Sequence, residues 1–112
     1  METTENDVTT VKVLHPEGHL EAANGSRLAE EGREVLNSGR HLVLDLSEVG
    51  FCDSAGLSSL VSLFKHSGEV GREFVLAAPR ANLVSLLELT RLHRVFSIAD
   101  DVEAALAAAE AA

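Results

Sequence analysis

The segment of this chain best suited to chemistry is Asp53-Ser54-Ala55-Gly56, a hydroxyl beside a carboxylate and two small residues. It follows an apolar stretch, Leu42 to Leu46, broken only by Asp45, and it precedes a helical stripe that begins at Leu57. Ser54 therefore stands where a helix N-cap belongs. A serine there accepts from the free N–H groups of the first turn, which typically contributes about 1 kcal/mol. The same oxygen offers a second chemistry. A phosphate on it would face unpaired N–H groups and the positive end of the helix macrodipole, both of which favour anions. It would also add about 1.5 to 2 negative charges beside Asp53 and so change the surface that a partner meets. Position alone leaves both roles open.

Other chemistries fit the residues less well. A serine hydrolase elbow needs Gly-x-Ser-x-Gly, but Cys52 stands where the first glycine is required, and no histidine has an evident partner role. Asp45, at the end of a strand, lacks the acidic pair and later lysine of a phospho-accepting aspartate in a chain whose only lysines are Lys12 and Lys65. It reads as an anchor for the following loop. His15, His19, His41, His66 and His93 show no i, i+4 pair and no carboxylate grouping, so solvated or capping roles are expected and no metal site. Cys52 reads as a small buried hydrophobe, and Asp53 beside it works against a lowered thiol pKa. Nothing matches a Walker motif or Gly-x-Gly-x-x-Gly, so no cofactor is expected. The chain is not expected to be an enzyme.

The elements that must position Ser54 can be read from periodicity. Residues 8 to 14 are rich in β-branched types, and His15 to Gly18 breaks them, giving a first strand and turn. His19 to Ala22 suggests a very short second strand, after which Leu28, Gly32 and Val35 keep helical spacing over about twelve residues to Gly39. His41 to Leu46 reads as a central strand and Ser47 to Cys52 as a short loop. Leu57, Leu60, Val61 and Phe64 then form one amphipathic stripe, with Ser59, Ser62 and His66 opposite and Gly68 or Gly71 as the stop. Glu73 to Ala78 is a strand closed by Pro79, and Leu83, Leu86, Leu87 and Thr90 make another helical stripe. Arg94 to Ile98 is a possible short strand. Asp100 or Asp101 caps a last helix with Val102, Ala105, Leu106 and Ala109 inward. Strands alternating with helices imply an α/β layer structure. The expected architecture is a small mixed β-sheet of four to five strands covered mainly on one side by about four helices.

Length and composition set the outer bounds. A chain of 112 residues has the size of one domain, burying roughly 65% of its unfolded surface. We expect residues 1–7, acidic and polar, to be a flexible N-terminal segment and 8–112 to be the domain. One cysteine excludes an intramolecular disulfide, and neither a secretory start nor a run long enough to span a membrane is present. A cytoplasmic location fits. The net charge of −9 repels phosphate backbones and anionic lipid, so neither nucleic acid nor membrane is expected as a partner. Strands and helix stripes use most apolar residues, so a monomer is expected.

Together these residues resemble the signature of STAS domains of the anti-sigma factor antagonist type. Leu42 to Ser47 followed by Phe51-Cys52-Asp53-Ser54-Ala55-Gly56-Leu57 is similar to that family's Asp-Ser-x-Gly-Leu core. Gly18 to Glu21 resembles its Gly-x-Leu-Asp element, Val75 to Pro79 its fourth strand, and Leu86 to Leu92 its Leu-x-x-Thr-x-Leu segment, so the likeness spans about residues 8 to 108. The resemblance implies a switch. The serine matching Ser54 is phosphorylated by an anti-sigma factor that is itself an ATP-dependent serine kinase. The unphosphorylated antagonist binds that kinase and frees the sigma factor, the phosphorylated form does not bind, and a serine phosphatase resets it. A dianion beside Asp53 suits such a switch. The surface expected to meet the kinase comprises Glu21, Asn24, Asp53, Ser54, Ala55, Gly56, Ser58, Ser59 and Ser62. Three positions depart from the family pattern: Glu21 replaces the usual Asp, Ala55 a common Ser or Thr, and Arg91 a frequent Gly. Glu21 keeps the charge one methylene further out, which bears on partner choice rather than on the switch. The competing role is a STAS scaffold in a larger signalling or transporter-associated assembly, without a Ser54 switch.

Overall fold

A computed structural model describes residues 10–111, so the expected flexible segment at 1–7 lies outside the described residues. Four strands, β1 (Val11–Leu14), β3 (His41–Asp45), β5 (Phe74–Ala77) and β6 (Ser97–Ala99), form one sheet in the order β1-β3-β5-β6. Two more, β2 (Gly18–Leu20) and β4 (Val49–Cys52), form a small second sheet. The helices are α1 (Ala22–Asn37), α2 (Ser54–Val70), α3 (Ala81–Leu89) and α4 (Val102–Ala111).

The α/β class and the four helices agree with the sequence reading. The sheet is not mixed: among the described residues every strand pair is parallel. The cause is the connectivity, since β1 to β3, β3 to β5 and β5 to β6 are each separated by at least one helix, as a parallel return requires.

Strand alternation divides the core into two layers. Leu42 and Leu44 of β3 and Phe74 and Leu76 of β5 face one side, where Leu28, Leu36, Leu57, Leu60, Leu63, Leu83 and Leu87 of α1, α2 and α3 cover them. Val43, Val75 and Ala77 face the other side and meet Ala105 and Ala109 of α4. Three helices cover one face and one the other. The alanines carry the second layer because a helix with methyl side chains lies close against a sheet. As expected, β3 is central, and Val102 and Leu106 pack with Ala105 and Ala109.

Several local boundaries differ from the sequence reading. Helix α1 has 16 residues rather than about twelve, because it starts immediately after Glu21. The segment expected to be a loop before Ser54 contains β4, whose pairing with β2 is non-local and leaves no periodic trace in four residues. A 3-10 turn at Leu92–Arg94 displaces the last strand to Ser97–Ala99. Its entry residue, Arg91, has φ 65°, the left-handed conformation that glycine adopts without strain, and this explains why glycine is frequent there in the resembled family. Gly71, also left-handed at φ 69°, ends α2. Among the described residues Leu89 is 83% exposed, so strands and helix stripes do not use every large apolar residue.

Candidate functional site

The two-stranded sheet places the starts of α1 and α2 side by side. Leu20 of β2 is in register with Cys52 of β4, and each strand runs directly into its helix. Helix α1 begins on Glu21, whose backbone N–H donates to Asn24 Oδ1 at 2.8 Å, while Asn24 Nδ2 donates to the carbonyl of His19. Helix α2 begins on Asp53. Its backbone N–H donates to the Leu20 carbonyl at 3.2 Å and its Oδ1 accepts from the Gly56 N–H at 2.8 Å.

Asp53, not Ser54, is therefore the N-cap of α2, and Ser54 is the first helical residue. Both residue types cap well, and their order in sequence does not choose between them. The choice is made by Leu20, whose carbonyl holds the Asp53 backbone in an extended conformation, φ −98° and ψ −173°. Ser54 is left exposed, and its hydroxyl has no protein partner among the described residues. Of the donors that start α2, the Asp53 and Gly56 N–H groups are used, which leaves those of Ser54 and Ala55.

Close packing fixes the residues behind Ser54. A Cβ on Gly56 would lie 2.2 Å from the Leu20 carbonyl oxygen, so only glycine lets β2 and α2 approach in this way. A Cβ on Gly25 of α1 would lie 2.6 Å from Ser59 Oγ, so Ser59 is pressed against α1 instead of facing solvent. Ser62 is half-buried and accepts from Arg33 Nη1 at 3.2 Å. The face expected to be solvated is thus the seam between α1 and α2, and of Ser58, Ser59 and Ser62 only Ser58 is exposed. The structure brings the expected site residues to one end of the α1/α2 pair, with Ser62 farther along it. Sequence reasoning missed Arg33 and Asn82. Asn82 Oδ1 accepts from the Cys52 N–H at 2.8 Å and so ties α3 to the strand before Ser54, across 30 residues with no local signal.

Two titratable groups near the site are shifted by their surroundings. Burial, and then the charge of Asp53, push the Cys52 thiol up to about 11, so it is inert as a nucleophile. Asp45 accepts from the Ser47 N–H at 3.1 Å and pairs with His15 at 2.8 Å. Burial works against its charge, but Ser47 and His15 outweigh that and hold it below the ordinary carboxylate value. The expected loop anchor is present. The histidines, by contrast, do meet carboxylates: His15 meets Asp45, His19 meets Glu21 at 3.3 Å, and His66 meets Glu69 at 3.6 Å. The first of these pairs joins the ends of β1 and β3, with β2 and α1 between them in the chain, so local spacing does not reveal it. Among the described residues no group of three or more His, Cys, Asp or Glu is placed to hold a metal, and no helix is long and apolar enough to cross a membrane.

The family model for the STAS domain matches residues 1–105. The chain belongs to the STAS domain family. BtrV of Bordetella bronchiseptica, a protein named as an anti-sigma factor antagonist, is 31% identical over 93 residues, which cover 82% of this chain and 80% of BtrV. A crystal structure from Thermotoga maritima with the same description aligns with a TM-score of 0.82 at 28% identity, covering 90% of this chain and 88% of that one. The anti-sigma factor antagonist SpoIIAA in its unphosphorylated form aligns with a TM-score of 0.66, covering 84% of this chain and 83% of that one; at 12% identity this shows the shared fold alone. By sequence and by structure, this STAS domain groups with the anti-sigma factor antagonists.

Proposed function

We propose that this protein is a phosphorylation-controlled anti-sigma factor antagonist that acts in the cytoplasm. Unphosphorylated, it binds an anti-sigma factor serine kinase and releases the sigma factor; phosphorylation of Ser54 ends the binding, and a serine phosphatase restores it. The observation that carries this reading is the setting of the Ser54 hydroxyl, which is exposed and unpartnered at the first residue of α2, beside the capping carboxylate of Asp53. A kinase can reach it. A phosphate there gains the two unused N–H groups of Ser54 and Ala55, and its charge lies against Asp53, where it disfavours an acidic or closely packed partner surface that fitted the neutral serine. The description of SpoIIAA by its unphosphorylated form agrees with a phosphate-dependent switch in a protein of the same fold.

The test mixes the purified protein with a purified anti-sigma factor serine kinase of the same organism and ATP, and follows intact mass and affinity. One phosphate is expected, on Ser54, and Ser54→Ala should abolish it while retaining binding. Affinity should rank Ser54→Ala with wild type, Ser54→Asp lower because one charge is added, and phosphoserine lowest because it adds about two charges and three acceptor oxygens. Phosphate on Ser58 with Ser54 unmodified, or equal affinity for both forms, would refute the switch.

A further inference from the structure

Three basic side chains gather along the seam between α1 and α2, in a chain with twice as many acidic residues as basic ones. Two adjoining grooves run along it and have Arg33, Ser58 and Ser62 in common. One reaches Ser54 and Lys65, the other Arg27. Thus Arg27, Arg33 and Lys65, three of the chain's nine basic residues, line the grooves, whereas Glu30 and Glu69 are the only acidic residues there out of eighteen. Arg27 and Lys65 have no partner among the described residues, and Arg33 donates only to the Ser62 hydroxyl. The rest of the lining includes small side chains, Ala29, Ala55 and Ser58 among them, which let another chain approach closely at little entropic cost. The capping carboxylates of Glu21 and Asp53 lie at the helix starts, at one end of the seam.

We infer that these grooves receive an acidic segment of the anti-sigma factor kinase, held by Arg27, Arg33 and Lys65. The inference rests on the proposed function and gives the partner's docking element a charge. A protein of net charge −9 repels an acidic chain over most of its surface, so the cationic seam restricts the approach to one place. It also gives Ser54 phosphorylation a direct effect. Ser54 lines the same groove as Arg33 and Lys65, so a phosphate adds negative charge where the acidic segment must lie.

The test measures affinity of the unphosphorylated full chain for the same purified kinase at low salt and at about 1 M salt, where the Debye length falls to about 3 Å. Exposed charges contribute a few-fold each, so Arg27→Glu with Lys65→Glu should weaken binding about tenfold or more at low salt and flatten its salt dependence. Both side chains lack internal partners, so the fold should survive, as circular dichroism will show. Arg33→Gln, which removes charge but keeps a donor for Ser62, should weaken binding by a smaller factor. Wild-type affinity in the double variant, or equal salt dependence, overturns the acidic docking segment while leaving the Ser54 switch standing. Failure of the wild type to bind any form of the kinase overturns the proposed function and this inference with it.

Discussion

Replacing Gly56 with alanine tests whether close packing of β2 against α2 builds the site. The new Cβ would lie 2.2 Å from the Leu20 carbonyl oxygen, 2.9 Å from its carbon and 3.0 Å from Cys52 Sγ. The first two are backbone atoms that cannot rotate away, so α2 must retreat by about 1 Å to reach ordinary contact. Overpacking of this kind costs about 1–3 kcal/mol. The retreat also stretches the 3.2 Å hydrogen bond from the Asp53 N–H to Leu20, a further loss of about 1 kcal/mol. Alanine returns about 1 kcal/mol through its better helix propensity. The net effect is a loss of about 2 kcal/mol, set against a typical total of about 5–15. Gly68, in the same helix, is the control: a Cβ there meets nothing within 4 Å, so Gly68→Ala should gain about 0.5–1 kcal/mol. Urea unfolding followed by far-UV circular dichroism measures both, since the chain has neither Trp nor Tyr to report by fluorescence. If Gly56→Ala lies within about 0.5 kcal/mol of wild type, or if both substitutions stabilise, the close approach does not hold the site as argued.

The assignment of the cap to Asp53 predicts that Asp53→Ala lowers stability by about 0.5–2 kcal/mol while Ser54→Ala changes it by less than about 0.5; urea midpoints in the reverse order would return the cap to Ser54. Arg91→Gly should stabilise by about 0.5–1 kcal/mol, because a non-glycine residue at φ 65° costs about 1–2 and glycine's entropy offsets part of that; an unchanged melting temperature would show the turn to be unstrained. Ser58→Arg should weaken kinase binding with little change in melting temperature, whereas Ser59→Arg should lower the melting temperature, since Ser59 Oγ lies against Gly25; equal melting temperatures would remove Ser59 from the seam. Asp45 has a folded pKa below 3.8, so its contribution is full above that value and is lost as pH falls through the folded pKa. The stability difference between wild type and Asp45→Asn should accordingly narrow in acid, and a pH-independent difference would refute the anchoring role.

Sequence alone determined the features written in local periodicity. The uniformly apolar run at Leu42 to Leu44 marks a strand buried on both faces, and the spacing of Val102, Ala105, Leu106 and Ala109 marks which face of α4 meets the sheet. The start of α2 near Asp53 and Ser54 was legible for the same reason, because N-cap chemistry is local, whereas the strand β4 that leads into it was not. Tertiary structure decided everything that depends on a partner distant in the chain. Which of the two junction residues caps was set by the Leu20 carbonyl, some thirty positions earlier, because a hydrogen bond selects the backbone conformation that reaches it. Whether Ser59 faced solvent or α1 was set by Gly25, whose missing side chain lets the helices approach. The gathering of Arg27, Arg33 and Lys65 along one seam came from two helices being laid side by side by a three-residue strand, β2, and its partner β4. That short strand pair has almost no periodicity of its own, and its only stable place is the one the rest of the fold provides.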